Sequence, residues 1–139
     1  MALDDVDQRL LNLLKEDARK PFVAIANTVN LSEAAVRRRV HNLVRSGAIR
    51  RFTIEEGREK GASAITLVSV SPSTPTSGVA ERLKRLKGVE TVYEITGEYD
   101  IAAIVSAASI AEANRCIDDV RRVEGVATTN TVIILRTIR

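Results

Sequence analysis

The sequence predicts an α+β chain of two small domains. One is an N-terminal three-helix unit closed by a short β wing. The other is a C-terminal βαββαβ unit of the ferredoxin-like kind, built to pair with a second copy of itself. Three observations carry this. Apolar residues recur at helical spacing in three short runs before residue 54; an eight-residue phrase beginning at Arg85 returns at Arg122, 37 positions on; and all excess positive charge lies in the first half. With 139 residues, 45% apolar and 28% charged, the chain suits one ordinary or two very small domains and is too mixed for a disordered or fibrous protein. The expected division is 1–54, a linker at 55–63, and 64–139.

In the first domain, Val6, Leu10, Leu11, Leu14 and Ala18 fall on one helical face behind Asp4, and Asp4, Asp5 and Asp7 suit the positive end of the helix dipole. This predicts a helix ending near Arg19. Pro21 fits the first turn of a second helix with Phe22, Ile25, Ala26 and Val29 inward, stopped by Asn30 in a left-handed conformation. Ser32 reads as the N-cap of a third helix, with Val36, Val40, Leu43 and Val44 inward and Ser46-Gly47 as its end. The segment from Ala48 to Ile54 is rich in β-formers and reads as a wing strand.

Two short helices joined across Asn30-Leu31-Ser32 form a helix-turn-helix, whose second helix can enter a major groove about 12 Å wide. From Ser32 to Arg51 the chain carries six arginines against the single acid Glu33, the footprint of a polyanion partner, with double-stranded DNA the default. At about 100° per residue, the face opposite Val36 and Val40 holds Ala34, Arg38, His41, Asn42 and Arg45, with Arg37 on the flank. Ala34 and Ala35 allow close approach, Arg38 suits a bidentate contact to guanine, and Ser32, Arg37, Arg39, Arg45, Arg50 and Arg51 suit phosphates.

Ala64 to Val70 is a β-rich run, followed by the turn segment Ser71 to Gly78 and by a helix with Val79, Leu83 and Leu86 inward. A strand at Val92 to Thr96 and another at Ile101 to Ala107 flank Gly97-Glu98-Tyr99-Asp100, a hairpin connection. A helix over Ser109 to Val123 buries Ala113, Cys116, Ile117 and Val120, and Val132 to Leu135 closes the sheet. Both helices fall on one face of such a sheet. The other face is apolar, and burying it at roughly 25 cal/mol per Å² calls for an identical subunit, hence a homodimer.

The longest apolar stretches, such as Ile101 to Ala111, are about half of the roughly 20 residues a membrane span needs, and no secretory leader precedes Leu3; a soluble, cytoplasmic protein without membrane contact is expected. One cysteine and one histidine leave no zinc set, no cofactor is implied, and no phosphate-binding glycine loop or nucleophile-base set points to an enzyme. The competing readings are a non-specific architectural DNA binder and a metabolite-binding module that contacts protein.

Taken together, Leu3-Asp4-Asp5-Val6-Asp7 with Leu10-Leu11, Ala18-Arg19, Ile25-Ala26, Leu31-Ser32, Val36 with Arg39-Val40 and Leu43, Gly47-Ala48-Ile49-Arg50, Gly97-Glu98-Tyr99-Asp100 and Gly125-Val126 resemble the Lrp/AsnC (feast/famine) transcription regulators over nearly the whole chain. The resemblance implies a winged helix-turn-helix and a dimerising α/β domain that assembles further into tetramers or octamers. It also implies an amino-acid effector bound between subunits. Carried onto this chain, that site falls at Gly97, Tyr99 and Asp100, with Thr129 and Thr131 approaching from the last strand.

Overall fold

The computed structural model describes residues 2–57 and 61–138, so Arg58, Glu59 and Lys60 of the expected linker lie outside the described residues. The chain forms two compact units, Met1–Glu56 and Gly57–Arg139. Among the described residues no helix is long and apolar enough to cross a membrane.

The first unit is three helices: α1 (Asp5–Glu16), α2 (Phe22–Val29) and α3 (Glu33–Arg45). Its core joins Leu10 and Leu14 of α1, Ile25, Ala26 and Val29 of α2, and Val36, Val40 and Leu43 of α3, all buried. Helix α1 stops at Glu16, before Arg19. The Asp17 carboxylate accepts the Arg19 amide at 2.9 Å, a local turn that competes with the next helical turn and leaves Ala18 exposed. Asn30 takes the left-handed conformation (φ 55°) and Ser32 caps α3 by accepting from the Ala35 amide, so the tight α2–α3 turn follows from side chains present in the sequence. Val44, expected inward, is 45% exposed because it sits at the edge of the stripe. The expected wing is not a strand. Residues 48–54 carry no strand, and a ribbon outside a ladder has nothing to hold it extended; Ile49 instead packs on the bundle while Phe52 and Ile54 are exposed.

Asp4 and Asp7 do two things at once. They form a capping box at the start of α1: the Asp7 amide donates to Asp4 Oδ1 at 2.7 Å and the Asp4 amide to Asp7 Oδ2 at 3.4 Å. The same two carboxylates receive the Arg39 guanidinium of α3, at 2.7 Å from Asp4 Oδ2 and 2.8 Å from Asp7 Oδ1. The Asp7 amide first, and Arg39 second, hold the Asp4 carboxyl below its ordinary value of 3.8.

The second unit contains β1 (Ala62–Val70), α4 (Thr76–Lys84), β2 (Val89–Glu94), β3 (Ile101–Ala107), α5 (Ile110–Arg122) and β4 (Val126–Ile134). The strands form one sheet in the order β2-β3-β1-β4, every neighbouring pair antiparallel, the βαββαβ order expected. The final strand is far longer than the apolar run Val132 to Leu135, because its threonines fit a pleated ladder as well as the isoleucines do and Ser63 to Val70 supplies a full-length partner. Likewise β2 begins at Val89. Residues 62, 64, 66 and 68 of β1 are buried under α4 and α5, with Val79, Leu83, Cys116 and Val120 as the helices' contribution. Cys116 is a core residue whose thiol burial, and secondarily the charge of Asp119, push up.

The 37-residue repeat has a structural meaning. Gly88 and Gly125 end α4 and α5 with nearly the same left-handed φ, +95° and +94°. Val89 donates to the Leu86 carbonyl at 3.2 Å, and Val126 does the same to Val123 at 3.1 Å. The repeated phrase is therefore one turn built twice.

Two predictions follow from this packing. The folded Asp4 carboxyl titrates below its unfolded value, so its stabilisation is present above about pH 3.8 and is lost as pH falls through the lower, folded value. Asp4→Asn should lower the urea midpoint at pH 7, with the gap to wild type closing towards pH 2; a constant gap would refute the linkage. At Gly125 an added Cβ would stand 2.7 Å from Thr74 Cγ2 and 2.8 Å from Val79 Cγ2. Gly125→Ala should therefore cost roughly 2–5 kcal/mol in chemical denaturation, strain plus overpacking, and Gly47→Ala, with open space around it, only about 1–2.

Candidate functional site

Three consecutive arginines of α3 leave the helix about 100° apart and meet different surroundings. Arg37 pairs with Glu33 one turn earlier at 2.6 Å and lies over the Phe22 ring of α2, 5.2 Å from its centroid. Arg39, on the opposite flank, is held by Asp4 and Asp7 of α1, at 2.7 Å and 2.8 Å. Arg38, between them, points away from the core and carries no ion pair among the described residues.

The exposed face thus holds Ala34, Arg38, His41 and Arg45, with Ala35 and Asn42 half-buried at its margins and Ser32 at its N-terminal end. His41 is an exposed helix residue. Arg50 and Arg51 follow the helix, exposed and outside any helix or strand. The face is cationic, about four turns long, and has small residues at its N-terminal end, a form that suits a polyanionic partner.

The second expected site is divided. Gly97 takes φ +117° in the β2–β3 connection with open space around it. The Asp100 carboxylate accepts the Val70 amide at 2.7 Å, while its own amide donates to the Val68 carbonyl and its carbonyl accepts from Ile95. It fastens the hairpin to the end of β1, which makes it a structural residue first. The Tyr99 hydroxyl accepts from the Asn130 side chain at 3.3 Å.

Thr129 and Thr131 do not join this group. Their register opposite Val68 and Thr66 puts them on the helix-covered side of the sheet, where Thr131 pairs with Thr66 at 3.0 Å and Thr129 accepts from Arg121 Nε at 3.3 Å. Thr131 lines an open groove of about 440 Å³ with Asn114, Ile117, Asp118, Arg121 and Ile133. Sequence reasoning missed Asn130 and Arg121. The signal for Asn130 was available: strand residues alternate, so the side chain that meets Tyr99 comes from the position between the two threonines.

The uncovered face of the sheet carries Ile65 and Leu67 of β1, Ala102 and Ile104 of β3, Tyr93 of β2, and Val132 and Ile134 of β4, aligned across the strands by the register. Tyr93 is 54% and Val132 48% exposed, so a contiguous apolar surface stands open in the single chain.

Comparison with known proteins matches residues 3–44 to the AsnC-type helix-turn-helix domain and residues 63–139 to the Lrp/AsnC ligand binding domain. The chain is 44% identical over 135 residues to the HTH-type transcriptional regulator LysM of Saccharolobus solfataricus, covering 97% of this chain and 95% of that protein. It is 30% identical to the HTH-type transcriptional regulator FL11 of Pyrococcus abyssi, covering 99% and 92%. Among solved structures it is similar to a feast or famine regulatory protein of M. tuberculosis complexed with L-methionine, at TM-score 0.90 and 29% identity over 99% of this chain and 95% of that one. E. coli AsnC, at 21% identity and TM-score 0.85 over 99% and 95%, shares the fold. With a helix-turn-helix whose α3 carries an exposed cationic face and a βαββαβ domain following it in the sequence, the chain belongs to the Lrp/AsnC family of transcriptional regulators.

Proposed function

We propose that this regulator binds specific duplex sites as a homodimer through α3 and is modulated by an amino acid at the hairpin end of its C-terminal sheet. The observation that carries the reading is the exposed guanidinium of Arg38 at the centre of the α3 face, without an ion pair among the described residues. Ser32, Ala34 and Ala35 make the close approach, and Arg38, His41 and Asn42 face base edges. Arg37, Arg45, Arg50 and Arg51 meet phosphates, each contact contributing about 0.9 to the salt slope.

The apolar sheet face supports the dimer, since two such faces stacked on each other bury what neither can bury alone, and a two-fold pair of α3 helices suits a pseudo-palindromic site. Larger assemblies of dimers extend the same surface logic. The reaction is binding alone, without catalysis, and its setting is the cytoplasm.

The effector reading rests on the ligand-binding domain and on a structural neighbour that holds L-methionine. Gly97, Tyr99 and Asp100 supply an open backbone, a hydroxyl and a carboxylate whose second oxygen can take an ammonium group. Asn130 joins them through Tyr99, while Thr129 and Thr131 act from the other side of β4, through Arg121 and the adjoining groove. A ligand that favours one assembly state shifts the population by its differential affinity.

Arg38→Ala should weaken binding at a duplex selected by the wild type by about 1–3 kcal/mol and relax base preference, as read by fluorescence anisotropy against single-base variants. Equal losses on selected and scrambled duplexes would reduce Arg38 to a phosphate contact. Calorimetric titration with the twenty amino acids should show heat for a subset, weakened at least fivefold in Asn130→Ala; flat titrations throughout would end the effector reading.

A further inference from the structure

The clamp on Arg39 joins residues 32 and 35 positions apart in the sequence and ties the first turn of α1 to the middle of α3. Its place on the helix decides what it controls. Arg38, next to it, points into open surroundings, and a cleft of about 340 Å³ beside α3 is lined by Asp4, Asp7, Arg38, Arg39 and Asn42. A rounded stripe of Val36, Val40 and Leu43 resists separation of α3 from the bundle but resists rotation about its own axis weakly. A turn of 20° moves groups on the helix surface, about 5–6 Å from the axis, by roughly 2 Å. Base-edge hydrogen bonds tolerate much less than that. A short, doubly accepted guanidinium on one flank is the kind of contact that fixes such an angle, because its geometry is directional and it is 30% exposed rather than free in solvent.

Charge makes the device sharper. One cation shared by two carboxylates leaves this corner net negative beside the DNA-facing surface, with Arg39 keeping both acids off Arg38. Without Arg39, two unpaired carboxylates would compete for Arg38 and repel phosphate. Without the carboxylates, Arg39 would join the face as a further free cation and strengthen binding to any duplex.

We propose that Arg39, held between Asp4 and Asp7, is a positioning residue of DNA recognition: it sets the rotation of α3 so that Arg38 reaches a base edge, and it makes no phosphate contact itself. The inference rests on the reading of α3 as the DNA-facing helix and names how specificity is maintained on it.

The test uses the full-length chain and two 20–30 base-pair duplexes, one selected from a random library by the wild type and one scrambled. Affinity is measured across a salt series, with circular dichroism showing each variant folded. Arg39→Gln should lower the selected-to-scrambled affinity ratio at least tenfold while leaving the salt slope within about 0.5 of wild type. Arg39→Lys should recover part of the ratio. The double variant Asp4→Asn, Asp7→Asn should bind scrambled duplex more tightly than wild type and still lose the ratio, which reads positioning even if Arg39→Gln fails to fold. A salt slope lowered by about 0.9 with the ratio intact would make Arg39 a phosphate contact and overturn the proposal. A ratio unchanged in all variants would leave the clamp a stability device and overturn it as well. Wild-type chain without salt-dependent affinity for either duplex would defeat the DNA reading itself, a result distinguishable from both.

Discussion

The guanidinium of Arg39 sits between two carboxylates that already cap α1, so one cation closes the helical unit where its first and third helices meet. Most of what the N-terminal unit offers outward depends on that contact. Asp7 is 7% exposed, and a carboxylate so placed is tolerable because an amide-bearing helix end and a guanidinium both answer it. On α3 the neighbours of Arg39 are then sorted by angle: Arg37 lies over Phe22 and pairs with Glu33, while Arg38 has no ion pair among the described residues. A run of like charges therefore becomes three different tools, because 100° per residue sends each side chain to a different neighbour.

The C-terminal unit obeys a different constraint, the period of two. Every second residue of β1 goes under the helices, and the intervening ones, Ile65 and Leu67, join Ile104 and Val132 on the uncovered face. A sheet with apolar groups on both sides and helices on one leaves an apolar face uncovered, which is what supports the proposed pairing with a second copy. Asp100 and Tyr99 sit where the hairpin meets that sheet's end. Asp100 holds the turn to β1 and Tyr99 reaches β4, so the loop is fixed by the same residues that the family resemblance points to as ligand contacts.

Much of this was legible from residues alone. Helical spacing located α1, α2 and α3 because each packs one stripe on a shared core, and the eight-residue phrase repeated 37 positions on located two equivalent helix-to-strand turns because a left-handed glycine is required at both. The wing failed as a strand since β-propensity describes a surface that fits a ladder, and residues 48–54 join no ladder among the described residues. The last strand was underestimated for the converse reason: polar threonines entered it because β1 runs alongside for their whole length. Arg39 stands about 80° from the centre of the buried stripe, and the helical wheel had already set it apart from Arg38; what the wheel lacked was α1.

By itself the sequence determined the order of the helices and of the four-stranded sheet, most of the inward faces, the cationic character of α3 and the family, since these follow from local periodicity, turn chemistry and motif spacing. Tertiary structure decided which charges are free and which residues meet. Ion pairs such as Arg39 with Asp4 and Asp7, and side-of-sheet assignments such as Asn130 rather than Thr129 beside Tyr99, join positions 30 or more residues apart. No local rule reports on such distant partners, because packing geometry and strand register alone bring them within hydrogen-bonding reach.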